Sequence, residues 1–179
     1  MWGMIRLARP SDAPALCAIY NEGIEERQAT FETRARTVEE VEQWFADGLP
    51  IVVSVGPGDR VRGFARVSAY SDRCVYRGVG EHGVYVARDS RGQGIGRLLL
   101  DAICEEAERR GYYKLTSRIF ATNAASLAVH RAAGFREVGV QLHHGQVDGE
   151  WRDCVLVEKL LGEAAQAARA ADAARREAA

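Results

Sequence analysis

Val84-Tyr85-Val86-Ala87-Arg88-Asp89-Ser90-Arg91-Gly92-Gln93-Gly94-Ile95-Gly96-Arg97 runs from an alternating strand through a glycine-rich turn straight into a long amphipathic helix. The free amides at a helix start point outward, and glycine lets the backbone approach an anion closely, so the turn is suited to a phosphate or pyrophosphate. It is not a P-loop, since no Gly-Lys-Ser/Thr follows, and glycine at every second position of Gly92-Gln93-Gly94-Ile95-Gly96 departs from the dinucleotide-binding GxGxxG. Taken alone, the glycines are equally compatible with a strand-to-helix turn that binds nothing.

Upstream, Ile5 to Ala8 reads as a strand, and Ser11-Asp12 caps a helix carrying Leu16, Ile19, Tyr20 and Ile24 to about Glu26. Gln28 to Arg36 reads as a loop with one large apolar residue, Phe31, in its middle. Thr37-Val38-Glu39-Glu40 is a capping box that opens a second helix, buried through Val41, Trp44 and Phe45. Ile51 to Val55, the turn Gly56-Pro57-Gly58-Asp59 and Val61 to Tyr70 form an antiparallel hairpin, followed by a strand from Glu81 to Val86.

Downstream, the helix Gly94 to Arg110 buries Leu98, Leu99, Ala102, Ile103 and Ala107. The strand Tyr113 to Phe120, a short helix Asn123 to Ala133, and two strands, Phe135 to Leu142 and Trp151 to Leu160, joined by a glycine-rich loop, complete the pattern. The order β-α-α-β-β-β-α-β-α-β-β predicts one mixed α/β domain over residues 4–162. Residues 163–179 include 10 alanines and no large apolar side chain, and form a tail that is helix-prone or disordered.

The 179 residues carry a formal charge of -1, so no global field attracts nucleic acid or an anionic membrane, and any anion must be held locally. All basic residues except Lys114 and Lys159 are arginine, the side chain that grips carboxylates and phosphates at two points. Cys17, Cys74, Cys104 and Cys154 are scattered without a CxxC pair, which points to a reducing cytoplasm, and Cys104 and Cys154 read as small apolar residues. No apolar run approaches the roughly 18 residues of a membrane span. His143-His144 and Asp153 lack a three-ligand spacing, so no metal site is expected.

Arg91-Gly92-Gln93-Gly94-Ile95-Gly96 fits Arg/Gln-x-x-Gly-x-Gly/Ala, and is followed by Asn123, Ser126 and His130-Arg131-Ala132-Ala133-Gly134-Phe135. In this order of elements the pair resembles the GNAT superfamily of acetyl-CoA-dependent N-acyltransferases over about residues 4–162. Asn21-Glu22-Gly23-Ile24-Glu25, Ala29-Thr30-Phe31-Glu32-Thr33, Glu81-x-x-Val84-Tyr85-Val86 and Gly149-Glu150-Trp151-Arg152-Asp153 are similar to landmarks of its phosphinothricin and arsinothricin acetyltransferases. Those enzymes acetylate the α-amine of small glutamate-like amino acids bearing a phosphinate or arsinate, and so confer resistance.

The resemblance implies a splayed mixed sheet of about seven strands with about four helices, a homodimer, and acetyl-CoA as acetyl donor. It places pantetheine along Val84, Tyr85 and Val86, and pyrophosphate on the amides of Arg91, Gly92, Gln93, Gly94, Ile95, Gly96 and Arg97. Asn123 stands near the pantetheine arm, with Ser126 close by. Glu81 takes the position of the catalytic glutamate, a role that suits the need for a neutral amine nucleophile. His130 stands two helical turns after Asn123, where many members carry a tyrosine acid, and is either that acid or a packing residue. Arg73 and Tyr76 match basic and aromatic substrate-binding positions, with Arg77 as a competitor and Ser71 where a second basic residue is usual. Phe31 either walls the pocket or anchors its own loop. Two rivals stay open: a GNAT acting on a polyamine, antibiotic or protein N-terminus, and a non-catalytic acetyl-CoA sensor.

Overall fold

The computed structural model describes residues 4–178. One seven-stranded sheet runs through it in the order β1-β2-β3-β4-β5-β7-β6. The strands are β1 (Met4–Leu7), β2 (Ile51–Val55), β3 (Val61–Ala69), β4 (Val79–Val86), β5 (Lys114–Phe120), β6 (Arg136–Val147) and β7 (Glu150–Leu160). The helices are α1 (Ala13–Glu26), α2 (Val38–Glu42), α3 (Ile95–Arg109), α4 (Ala124–Ala132) and α5 (Gly162–Glu177). Every neighbouring pair is antiparallel except β4 with β5.

β2 explains why the sheet needs helices on both faces. Its sequence Ile-Val-Val-Ser-Val is buried at every position, and a strand apolar on both sides must be covered twice. Ile51, Val53 and Val55 pack with Leu16, Ile19 and Ile24 of α1 and with Val41 of α2. Val52, on the opposite face, joins Leu99, Leu100 and Ile103 of α3. β3 repeats the alternation: Phe64 belongs to the α1 side, Ala65 and Val67 to the α3 side. By the same period of two, Arg66 and Ser68 share the α1 face with Phe64, and their ladder partners Gly83 and Glu81 share it too.

Local chemistry fixes the boundaries. Thr37 and Glu40 form the reciprocal capping box at the start of α2, with N···O distances of 3.3 and 2.8 Å. The loop expected between the last two strands is shorter than its glycine content suggests, because β6 continues to Val147 and turns through Asp148-Gly149, at φ +50° and +82°. The extra length is absorbed by a register shift between Gln141 and Gly145. A Cβ on Gly145 would lie 2.5 Å from the Phe31 ring, so this glycine makes the seat on which the 28–36 loop rests. The alanine-rich tail is the fifth helix, α5, and it has no buried residue.

This distribution of burial separates core from tail. Removing residues 163–179 is expected to change the unfolding free energy by less than ~1 kcal/mol, since no side chain leaves a core. Leu99→Ala, at a fully buried position, is expected to cost about 2–5 kcal/mol. Urea titrations of the two variants against the parent chain measure both.

Candidate active site

The parallel ladder between β4 and β5 lasts for only three pairs, Val79 with Lys114, Gly80 with Leu115 and Glu81 with Thr116. β4 continues to Val86 on β3, and β5 continues to Phe120 on β7, so the two strands diverge after Glu81. From His82 onward one edge of β4 has no strand partner, and its outward amides and carbonyls face a cleft. That cleft opens into a cavity of about 1200 Å³ walled by β4, β5, the starts of α3 and α4, the 28–36 loop and the bulged part of β6.

At one end lies the glycine turn. Gly92 and Gly94 have φ of +73° and +77°, which side-chain-bearing residues rarely adopt, and Gly94 caps α3 without a side-chain acceptor. The first intrahelical donor is Leu98, to the Gly94 carbonyl at 3.3 Å, which leaves the amides of Ile95, Gly96 and Arg97 free. Arg91, Gly92, Gly94, Ile95, Gly96 and Arg97 all border the cavity, as do Val84, Tyr85 and Val86. Gln93 does not; its side-chain carbonyl accepts from Arg62. Arg91 is tied to Glu26 at 2.9 Å and Arg97 to Asp101 at 2.7 Å, so neither is an unspent cation. The residues present therefore fit a pyrophosphate mainly through backbone donors and the helix dipole.

Asn123 caps α4, accepting from the Ser126 amide at 3.1 Å and donating to the Gln28 carbonyl at 3.0 Å. It ties the mobile-looking composition of the 28–36 loop to a helix start, and it borders the cavity together with Ser126. Phe31 also borders it, and at the same time packs edge-on against Phe120 at 4.8 Å beside Val147 and Cys154. Both readings of Phe31 thus describe one placement.

Glu81 sits where the ladder ends, half-exposed on the cavity wall. Arg118 of β5 donates to its carboxylate at 2.9 Å and is itself oriented by Gln141 at 3.1 Å. Ser68 donates to the Glu81 carbonyl at 3.2 Å. The carboxylate is thereby fixed in direction while part of it stays open to the cavity.

His130 is buried, and both its ring nitrogens are engaged. Nδ1 lies 2.8 Å from the Ser126 carbonyl, an acceptor only, so Nδ1 carries the proton. Nε2 is then an acceptor, and the proton between the rings belongs to Nε2 of His82, 3.0 Å away. Burial holds both rings neutral: it pushes His82 down to about 3, with His130 contributing, and lowers His130 as well. Neutral His130 has no acidic N–H to offer the cavity.

Arg73 and Tyr76 lie on the exposed stretch between β3 and β4, away from the cavity walls. Arg73 stacks on Tyr76 at 5.4 Å, and Tyr76 packs against Tyr70. The cavity instead holds Arg118 and Arg66, which the sequence reading did not single out. The available signal was strand parity: Arg66 lies two residues after Phe64, on the face that Glu81 shares, and Arg118 immediately precedes the apolar pair Ile119-Phe120. Among the described residues no cluster of three or more His, Cys, Asp or Glu side chains is arranged to hold a metal ion.

The histidine pair carries a sign for pH. Unfolded histidine titrates near 6.5, so between that pH and about 3 the unfolded chain binds protons that native His82 does not, and stability falls as pH falls through this window. His82→Gln is expected to flatten the pH dependence by up to about 1.4 kcal/mol per pH unit. Denaturant titrations from pH 7 to 4 read the slope; an unchanged slope would mean that the native pair accepts protons freely.

The comparisons with known proteins agree with this geometry. Residues 5–156 match the acetyltransferase (GNAT) domain family. The chain is 34% identical to the L-methionine sulfoximine/L-methionine sulfone acetyltransferase of Pseudomonas aeruginosa, over 88% of this chain and 94% of that one. It is also 34% identical to the phosphinothricin N-acetyltransferase of Alcaligenes faecalis, covering 88% and 82% of the two chains. The crystal structure of a GNAT phosphinothricin acetyltransferase from Sinorhizobium meliloti in complex with acetyl-CoA superposes with a TM-score of 0.85 at 30% identity, over 91% of this chain and 90% of that one. With a family match over most of its length and relatives at 34% identity, the chain belongs to the GNAT acetyltransferases.

Proposed function

We propose that the protein acetylates the α-amine of a small glutamate-like amino acid with an oxyanion or sulfone-type tail, with acetyl-CoA as donor. The observation that carries the reading is the placement of Glu81, a directed carboxylate where β4 and β5 part, between the free strand edge and a cavity rich in arginine. The relatives' names, which include methionine sulfoximine, methionine sulfone and phosphinothricin acetyltransferases, support the substrate class.

Acetyl-CoA supplies an acetyl thioester when bound. The free amides of Ile95, Gly96 and Arg97 are the groups that would hold its pyrophosphate, and the open edge of Val84 to Val86 its extended arm. Glu81 takes a proton from the acceptor's ammonium, directly or through water, so that the amine lone pair can attack. Arg118 orients Glu81, and its Nη2, which has no partner among the described residues, suits the α-carboxylate of the acceptor. The leaving thiolate belongs to a thiol that ionises near pH 8.5, so it departs without a strong acid; the engaged nitrogens of His130 favour its packing reading.

The same reading carries three wider proposals. Acetylation caps the amine of toxic glutamate mimics, arsinothricin included, and so confers resistance. The reaction takes place in the cytoplasm; among the described residues no helix is long and apolar enough to cross a membrane. Val138, Val140, Leu142 and Trp151 form an exposed apolar row on the last two strands, which suits a homodimer.

Glu81→Gln is expected to lower kcat about 10²- to 10⁴-fold while leaving the KM for acetyl-CoA near its parental value. Release of CoA thiol with L-phosphinothricin, methionine sulfone, spermidine and an N-terminal peptide as acceptors makes the test. Turnover of only the peptide or the polyamine would sink the substrate class, and an unaffected Glu81→Gln enzyme would sink the base.

A further inference from the structure

Arg66 has no carboxylate partner among the described residues. Among the described residues its guanidinium makes neither a hydrogen bond nor an ion pair, and its Nε is buried without an acceptor. Nearly every other arginine bordering the cavity is committed: Arg91 to Glu26, Arg97 to Asp101 and Arg118 to Glu81. Glu32, the carboxylate that shares this wall, is held by two hydrogen bonds from Arg36, at 2.5 and 2.7 Å. Burial disfavours the charged form of Arg66 and lowers its pKa, and among the described residues no carboxylate is paired with it to offset that cost.

The position is built. Cζ of Arg66 stands 4.0 Å from the centroid of the Trp44 ring, and Trp44 is itself braced by Tyr20 and Phe64 at 5.3 and 5.9 Å. Stacking of a guanidinium on an indole covers its face and leaves its N–H donors in the plane, directed outward for two-point contact. Arg66 borders the cavity together with Tyr20, Ser68, Glu81 and Tyr85. Its ladder partner is Gly83, which presents no side chain between them. Gly83 lies two residues beyond Glu81 on the same face, a separation of about 7 Å along a strand. That is the reach from an α-amine at Glu81, along a glutamate-length side chain, to a group gripped by one guanidinium.

We propose, resting on the amino-acid acetyltransferase reading above, that Arg66 is the specificity-determining residue that holds the negatively charged tail of the acceptor. Arg118 stands beside the amine and serves the α-carboxylate, whereas Arg66 stands one tail-length away. The site therefore selects acceptors with an anionic tail, such as a phosphinate or a carboxylate, over isosteres with a neutral one, such as a sulfone.

Steady-state kinetics of the parent chain, Arg66→Gln and Arg66→Lys with L-phosphinothricin and with L-methionine sulfone test this. Arg66→Gln is expected to raise the KM for phosphinothricin roughly 10- to 100-fold, the worth of a charge-assisted contact, and to leave methionine sulfone and acetyl-CoA within about threefold. Arg66→Lys, which keeps the charge but loses the planar two-point fork, should recover only part of the loss. Equal losses on both acceptors, or unchanged phosphinothricin kinetics in Arg66→Gln, would overturn the assignment while leaving the functional reading intact. A parent chain that turns over neither acceptor overturns that reading, and the role of Arg66 with it.

Discussion

A β-strand has two hydrogen-bonding edges, and β4 satisfies the second for only three residues before β5 leaves it. Everything functional follows from that divergence. Backbone groups cannot be left dry and unpaired, so the open edge must face water or a ligand. The gap persists because each strand is paired along its other side, β4 to β3 and β5 to β7. α3 then starts at the mouth of the gap and points three free amides toward it. Strand edge and helix dipole form one continuous surface of oriented donors that needs no charged side chain.

The net charge of -1 conceals how the individual charges are used. Most arginines are paired within a few ångströms of an acid, and exposed pairs of this kind contribute little to stability, about 0–1 kcal/mol each. Their consequence is subtractive: they remove cations from the set a ligand can meet. Arg91 and Arg97 flank the glycine turn yet are neutralised by Glu26 and Asp101, so an anion at this end would meet mainly backbone donors. Deeper in the cavity the balance reverses, with Arg118 shared and Arg66 unpaired.

The helices and the succession of elements were legible because amphipathic period, capping box and glycine stops are local, and the same is true of the glycine turn, whereas Glu81 stood out only through the family resemblance. The splay was not, since no residue marks where two parallel strands stop pairing; only the resemblance supplied it. Glycine 145 misled, because a glycine near Gly149 reads as loop, whereas its task is to clear space for Phe31 within a bulged strand. Arg73 and Arg66 show the same limit from the other side. The family resemblance favoured Arg73, whereas ladder register, which places residue 66 opposite 83, brings Arg66 to the cavity wall.

The two ends of the cavity differ in what evolution can alter. The donor end is made of main-chain amides and an open strand edge, which persist under most substitutions that keep the glycines. The acceptor end is made of side chains, Phe31 on a loop seated on Gly145, Arg118 on β5 and Arg66 on β3. A single exchange there changes the charge seen by the acceptor's tail without touching the sheet, because residue 66 alternates out of the core formed by Ala65 and Val67. One scaffold can therefore keep its donor end fixed while its acceptor end changes, and the guanidinium stacked on Trp44 stands at the end where such an exchange acts.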